Sequence, residues 1–247
     1  MQKKPLILAL LAGLALSGAA QAALNDRGGG LIYDDVLDLT WLQDANYAKT
    51  SGYDADGKMT WSQATTWAAN LSYYDSVRGV TYTDWRLPTT GPVNGSTFND
   101  GFSYIGSTDY GYNVSEQGTA YAGSTGSEMA HLYYNSLDNK AACNPVTSTA
   151  GTCVSQSGSG LINGGLFTNF HTGTGAYWSG TENALSTSKA WNFTFYNGSQ
   201  SYNIKPNVFF AMAVRPGDVA AVPEADTWAM LLAGLGLVGV AARRRRG

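Results

Sequence analysis

Few side chains in this 247-residue chain carry reactive chemistry: there are two cysteines and two histidines. Cys143 and Cys153 flank a segment rich in Ser and Thr, without the basic neighbours that would turn a thiol into a nucleophile. His131 and His171 lie away from this pair, and no G-x-S-x-G elbow joins a strand to a helix. The pattern predicts a disulfide between the cysteines rather than a metal site, packing or surface roles for the histidines, and no catalytic residue.

The carboxylates offer one loop that could hold a metal. Residues 54–57, with the sequence DADG, begin like an EF-hand calcium loop, but Lys58 stands where the third oxygen ligand belongs. No glutamate closes the loop, so the segment is interpreted as a polar turn. Asp34, Asp35 and Asp38 are interpreted as a solvated rim. No metal is therefore predicted.

The first 22 residues have the pattern of a secretory signal peptide. Two lysines precede an apolar stretch, and Ala20-Gln21-Ala22 supplies the small-residue site that a signal peptidase needs. We expect cleavage between Ala22 and Ala23, with a short membrane anchor as the alternative. Export would place the cysteines outside the cytosol, where disulfides persist.

The segment 222–247 has three parts. The tripeptide Val222-Pro223-Glu224 is followed by the apolar run 228–242 and a cluster of arginines. As a helix this run would be about 22 Å long, shorter than a hydrocarbon core of about 30 Å. The cluster would stop transfer with its charges in the cytoplasm. Its members are Arg243, Arg244, Arg245 and Arg246.

This tail resembles the PEP-CTERM protein-sorting signal, although Ala225 stands where many members carry a second proline. The resemblance implies that an exosortase recognises Pro223 and Glu224 and that the tail is removed or exchanged. It also implies a Gram-negative bacterium, with the precursor held transiently in the inner membrane and facing the periplasm. The mature protein would then reach the cell surface or the medium. An ordinary tail anchor is the alternative.

A G-x-G-x-x-G match at residues 234–239 also falls in the tail. It lacks the surrounding strand–turn–helix unit and the following acidic residue of a dinucleotide site. No cofactor is therefore predicted.

Short motifs occur along the body, residues 23–221. They are DWRLPT (84–89), SEMAHLYYNSL (127–137), LFTNF (166–170), YWSGTE (177–182), AWNFTFYNG (190–198) and AMAVRPGD (211–218), together with LTWLQDAN (39–46) and MTWSQATTWAANL (59–71). The joint pattern resembles the Lcl C-terminal-like domain family. That family is similar to C-type-lectin-like and formylglycine-generating-enzyme-like folds, which implies a compact α+β domain with two helices and a twisted, mainly antiparallel sheet. It includes a surface adhesin that binds sulfated polysaccharide.

Two capping boxes predict the helices. Thr60 and Gln63 open an amphipathic pattern that predicts a helix over 61–73, and Thr125 with Glu128 predicts a second helix.

Alternation and turn residues predict the strands. Residues 31–42 read as two strands about a turn, 177–182 as a strand, and Asn197-Gly198 as a hairpin turn. Residues 90–124 show no clear period and are predicted to form a long surface excursion.

Two arginines in the family-like motifs are expected to form ion pairs rather than to bind a ligand. These are Arg86 and Arg215, with Glu128 or Glu182 as the proposed partners.

Composition excludes one function class. The body holds nine basic and 16 acidic residues, a net charge of −7, which disfavours nucleic acid as a partner. We therefore expect a non-enzymatic secreted surface or matrix protein that is processed by signal peptidase and an exosortase, with extracellular polysaccharide as its candidate ligand. A matrix-acting enzyme on a formylglycine-generating-enzyme-like fold and a purely structural matrix component remain the alternatives.

Overall fold

Strands dominate the computed structural model, which describes residues 24–219. The strands are β1 (Leu24–Gly28), β2 (Leu31–Asp34), β3 (Leu39–Leu42), β4 (Tyr73–Asp75), β5 (Val80–Tyr82), β6 (Phe102–Ser103), β7 (Tyr110–Tyr112), β8 (Tyr177–Glu182), β9 (Lys189–Thr194), β10 (Ser199–Ile204) and β11 (Val214–Pro216). The helices are α1 (Tyr47–Thr50), α2 (Trp61–Ala69) and α3 (Glu128–His131), and α3 continues into a π-helical segment, Leu132–Ser136.

The strands form three sheets, which agrees with the sheet-rich α+β class predicted from the sequence. One sheet has the order β1-β2-β3-β11 and is antiparallel throughout. The second has the order β6-β7-β10-β9-β8, and only its β6–β7 pair is parallel. Strands β4 and β5 form a separate hairpin.

Several predictions concern segments outside residues 24–219. These are the signal peptide 1–22 with its cleavage site at Ala22–Ala23, and the sorting segment 222–247 with its apolar run 228–242. Within the described residues, no helix is both long enough and apolar enough to cross a membrane.

The β2–β3 hairpin, predicted from its alternation, is buried on both faces. Ile32 pairs with Trp41, which in turn pairs with Val214 of β11, so these three share one face. Leu31 pairs with Leu42 on the opposite face. The first group belongs to the hydrophobic cluster around α3, and the second belongs to the cluster around α2. The sheet therefore separates two cores.

Asp34, predicted to lie on a solvated rim, is instead fully buried. Its carboxylate accepts the backbone N–H groups of Val36 and Leu37 and the hydroxyl of Ser136. That prediction was wrong because these donors replace water in the β2–β3 turn.

The first capping box is confirmed. The Thr60 hydroxyl accepts the backbone N–H of Gln63, and the Gln63 side chain accepts the N–H of Thr60. The helix ends at Ala69 rather than at the predicted Tyr73, since Tyr73 enters β4 and donates its hydroxyl to the carbonyl of Gly29.

The second capping box is wrong. Helix α3 begins after Ser127, and Thr125 is exposed. The Glu128 N–H donates to the carbonyl of Thr89 at 3.0 Å, and the Glu128 carboxylate is engaged by Arg86. The backbone N–H and the carboxylate of Glu128, which a capping box would pair with Thr125, therefore bind partners distant in sequence.

The prediction for residues 90–124 is also wrong. This segment supplies β6 and β7 to the five-stranded sheet, and it buries Val93, Asp109 and Asn113. Its strands are too short to show a period. The hairpin at Asn197-Gly198 is confirmed, with a four-residue connection between β9 and β10.

Removing the confirmed cap should weaken the fold measurably. Thr60→Ala is expected to lower the free energy of unfolding by about 1 kcal/mol, because a helix N-terminus loses a side-chain acceptor. Thr125→Ala is the matched control, since Thr125 is exposed and caps no helix, and its effect should stay within about 0.5 kcal/mol. Urea unfolding of the purified protein measures both, and equal effects of the two variants would contradict the assignment.

Candidate functional site

A group of aromatic side chains lies at one edge of the five-stranded sheet. The edge strand β6 contributes Phe102, a residue that remains 43% exposed. Three tyrosine rings meet Phe102 edge-on, with centroid distances of 4.7, 4.9 and 6.3 Å. A fourth, Tyr202, lies 5.0 Å from the second of them. We call Phe102, Tyr104, Tyr110, Tyr112 and Tyr202 the tyrosine strip.

The rings of the tyrosine strip are packed against one another. Tyr104 and Tyr112 stack with an interplanar angle of 13°, and Phe102 stands nearly perpendicular to both, at 82° and 84°. The four tyrosines are half-buried. Because neighbouring rings hold each other in place, a ligand that covers the strip would immobilise few additional rotamers.

Gly111 allows β6 to lie against β7. Its φ of +129° falls where side chains are disfavoured, and a Cβ there would lie 1.9 Å from the Ser103 carbonyl oxygen. The parallel register pairs Phe102 with Tyr110 and Ser103 with Gly111. Glycine at this position therefore brings the Phe102 ring beside the tyrosines of β7.

Asp109 anchors the loop that precedes the strip. Its buried carboxylate accepts the backbone N–H groups of Val93 and Asn99 at 2.6 and 2.7 Å. Burial raises the pKa of Asp109, and the two N–H groups oppose the shift. The Gln200 amide donates to the Asp109 carbonyl at 2.7 Å, which ties this loop to β10.

The same loop extends the aromatic contacts into the sheet. Phe98 stacks on Trp191 at a centroid distance of 5.4 Å, and Trp191 meets Tyr202 edge-on at 5.4 Å. The exposed rings are thus continuous with buried ones.

Polar groups border the strip. The Lys189 ammonium lies 4.8 Å from the Tyr202 ring centroid, and the Asn197 amide donates to the Tyr112 hydroxyl at 3.2 Å. Burial raises the pKa of Tyr112 and of Tyr202. Both hydroxyls therefore stay protonated at neutral pH and can donate as well as accept hydrogen bonds.

The predicted disulfide between Cys143 and Cys153 is present. Cys143 is buried, and its carbonyl accepts the Asn113 amide at 2.8 Å. The same amide donates to the Tyr104 carbonyl at 2.6 Å. The disulfide loop therefore supports the strip and offers no free thiol for chemistry.

The two histidines take part in packing, as predicted. His131 is buried and contacts the Ser124 carbonyl through Nδ1, and burial lowers its pKa. His171 stacks on Phe210 at 4.3 Å. Within residues 24–219, neither ring forms a hydrogen bond to a serine hydroxyl or a carboxylate, so no Ser–His–acid triad is assembled there.

The loop compared with an EF-hand forms a polar turn. The Asp54 carboxylate accepts the backbone N–H groups of Asp56 and Gly57, and the Asp56 carboxylate accepts that of Lys58. Across the part of the chain that the structure describes, no three His, Cys, Asp or Glu side chains are grouped so that they could hold a metal ion.

Both arginines singled out in the sequence form ion pairs. Arg86 makes a two-point contact with Glu128, at 2.8 Å to each oxygen. Arg215 contacts Asp84, so Glu182 was the wrong partner; Glu182 pairs with Lys205 instead. The arginines join distant segments and are not grouped into a ligand site.

Sequence reasoning missed the tyrosine strip, although a signal was present. Aromatic residues stand at 102 and 104 and again at 110 and 112, the spacing of side chains on one face of a strand. Glycines and serines between the pairs hid this signal, because they favoured a loop interpretation.

Comparison with protein-family models finds the PEP-CTERM protein-sorting motif at residues 221–246. The chain therefore carries an exosortase-sorting signal. This signal indicates export and surface sorting in Gram-negative bacteria, with an exosortase as a processing partner. No curated protein and no solved structure matches the chain. No match supports the Lcl C-terminal-like resemblance of the body, which stays an expectation.

A further titratable group follows β7. Glu116 is largely withdrawn from water, and its Oε2 atom has no hydrogen-bond partner among the described residues. Burial, with a smaller contribution from Asp138, raises the pKa of Glu116 to about 7. The folded state therefore favours the protonated carboxyl, and the stability of the protein should fall as the pH rises from about 4.5 through about 7.

Glu116→Gln should remove this pH dependence. The amide mimics the protonated acid, so the variant is expected to be more stable than the wild type near pH 8 and equally stable near pH 4. The upper bound of the gain is about 3 kcal/mol, from about 1.4 kcal/mol per pKa unit. Thermal unfolding at both pH values measures it. If the stability of the variant differs from that of the wild type by the same amount at both pH values, the assigned protonation of Glu116 is contradicted.

Proposed function

We propose that this protein is a non-enzymatic cell-surface or matrix protein whose lectin-like body binds extracellular polysaccharide through the tyrosine strip. The observation that carries this proposal is the strip itself, a partly exposed group of rings already packed against one another. The sorting signal supports this proposal, because export to the surface would bring the strip within reach of extracellular polysaccharide.

The chemistry of the strip suits sugars better than an apolar partner. The C–H faces of a sugar ring can pack against aromatic rings, while its hydroxyl groups need hydrogen-bond partners close by. Tyrosine supplies both an apolar body and a polar tip. The strip combines four tyrosine hydroxyls with the Asn197 amide and the Lys189 ammonium.

The charge of the body limits the kind of polysaccharide. A net charge of −7 repels a densely sulfated chain. Lys189 supplies a single positive charge beside Tyr202. We therefore favour a polymer of low charge density over the sulfated ligand that the family resemblance implies.

The lectin-like assignment has support from the architecture. The described residues form a sheet-rich α+β body, and β1 and β11, near its two ends, lie in one antiparallel sheet. Rejection of enzymatic activity is part of the proposal. It rests on the separate packing roles of the two histidines and on the ion pairs that occupy the arginines.

Truncating rings of the strip tests the binding proposal. Phe102→Ala and Tyr104→Ala are each expected to weaken binding to the polysaccharide of the producing bacterium at least about tenfold, a loss of about 1.4 kcal/mol, because each variant removes a ring face. Affinity electrophoresis through gels containing the purified polysaccharide measures the effect.

Tyr74→Ala is the matched control for the strip variants. Tyr74 is 63% exposed on β4 and makes no ring contact within the described residues. Wild-type binding by all three variants would overturn the role of the strip. No binding by the wild type to this polysaccharide or to a glycan array would favour a purely structural matrix component.

The sorting signal can be tested separately from ligand binding. Replacing Pro223 and Glu224 by alanine is expected to trap uncut precursor in the inner membrane, since these are the residues that the motif offers for recognition. Replacing the arginines at 243–246 by glutamine should let the precursor slip or misorient, because charged groups resist transfer through hydrocarbon. Mass spectrometry of the surface-associated protein is the measurement. Recovery of surface protein that still carries residues 228–247 would show a permanent anchor.

A further inference from the structure

A concave surface lies between α1 and the segment that follows Phe167. It encloses about 410 Å³, which is within the range of small-molecule sites, roughly 300–1,000 Å³. None of its lining residues belongs to the tyrosine strip. We call it the α1 cleft; it is lined by Asn46, Lys49, Thr50, Asn169, Phe170 and His171.

The two walls of the α1 cleft are joined by hydrogen bonds. The Ala45 N–H donates to the Thr168 carbonyl at 2.9 Å, and the Thr168 N–H donates to the Gln43 carbonyl at 2.8 Å. The Asp44 carboxylate accepts the Asn46 N–H with one oxygen and the Asn169 amide with the other, at 2.8 and 2.9 Å. These hydrogen bonds fix the two walls relative to each other, and both carboxylate oxygens of Asp44 already accept a hydrogen bond.

The His171 ring is held by close packing. One face stacks on Phe210, and a Cβ at Gly173 or Gly175 would lie 2.8 or 2.7 Å from the ring. Neither ring nitrogen forms a hydrogen bond within residues 24–219, where the backbone N–H of His171 donates to the Tyr177 hydroxyl. Burial, followed by the charge of Lys58, lowers the pKa of His171. A neutral imidazole of this kind presents one donor and one acceptor.

One cation, Lys49, lines the α1 cleft although the body is acidic. Lys49 is exposed at the rim and forms no ion pair with any described residue. Lys58 lies 5.4 Å from the Phe210 ring centroid and 3.5 Å from the Asp56 carboxylate. Lys49 is thus left available to an anion from solution. The buried Oδ1 atom of Asn46 has no partner in the described structure.

We propose that the α1 cleft binds a single sugar residue that bears a carboxylate, of the uronic acid class. Lys49 pairs with the carboxylate, and His171 with the two asparagines meets the sugar hydroxyls. Phe170 supplies an apolar wall. This site is separate from the strip. It fits a polysaccharide in which acidic sugar residues are sparse or lie at the chain end. The proposal does not depend on polymer binding by the strip.

The test uses methyl β-glucuronide and methyl β-galacturonide as probes, with methyl β-glucoside and methyl β-galactoside as uncharged controls. Titration of the purified protein, followed by NMR chemical shifts, is expected to show that at least one uronide binds five-fold or more tightly than its uncharged counterpart. Lys49→Gln should abolish that preference, and His171→Leu should weaken uronide binding at least five-fold.

Two controls separate this proposal from the function of the strip. Lys189→Gln removes the half-buried lysine beside the strip and should leave uronide binding unchanged. Tyr104→Ala should also leave it unchanged even where polysaccharide binding is lost. The proposal is overturned if neither uronide binds, if the uncharged glycosides bind equally well, or if folded Lys49→Gln protein keeps the wild-type preference.

Discussion

Burial of β3 on both faces is the constraint from which the rest of the body follows. Trp41 faces the cluster that contains α3, and Leu42 faces the cluster that contains α2. Neither cluster is complete without β3, and β3 itself is hydrogen-bonded on both sides, to β2 and to β11. Because β11 lies near the end of the body, the central sheet cannot close until almost the whole body is available. Such long-range pairing is slow to form.

Features set by neighbouring residues could be predicted from the sequence, whereas those set by distant partners could not. The capping box of Thr60 and Gln63 acts within one helical turn, and the hairpin at residues 197–198 is equally local. The Thr125–Glu128 pattern matches the capping-box sequence equally well. In the structure, however, the Glu128 carboxylate pairs with Arg86, which lies 42 residues earlier in the chain. An ion pair with so good a geometry outweighs a cap worth about 1 kcal/mol.

The same distinction explains the candidate sites. Aromatic residues at alternate positions in 102–112 do share an exposed edge, but their assembly needs Gly111 to admit β6 and Asp109 to hold the preceding loop. The α1 cleft is harder to predict from the sequence, because its walls come from two distant segments, residues 46–50 and 169–171. The β-bridge between Asp44 and Thr168 joins these segments. No spacing rule joins those two segments. Folding likewise gives the two histidines separate partners that spacing does not reveal, the Ser124 carbonyl for His131 and the Phe210 ring for His171.

The end of the body is tied closely to the central sheet. Val219 is buried, and the Arg27–Asp218 ion pair ties β1 to the segment just after β11. The sorting motif begins at residue 221, so the chain passes from a packed residue to the motif almost without a linker. The sheet of β1, β2, β3 and β11 is therefore the part of the body joined most directly to the sorting signal. The tyrosine strip is centred on β6 and β7, at the edge of the other large sheet. The proposed binding surface and the segment that leads into the sorting motif thus belong to different sheets. We therefore expect processing of the tail to leave the strip unaltered.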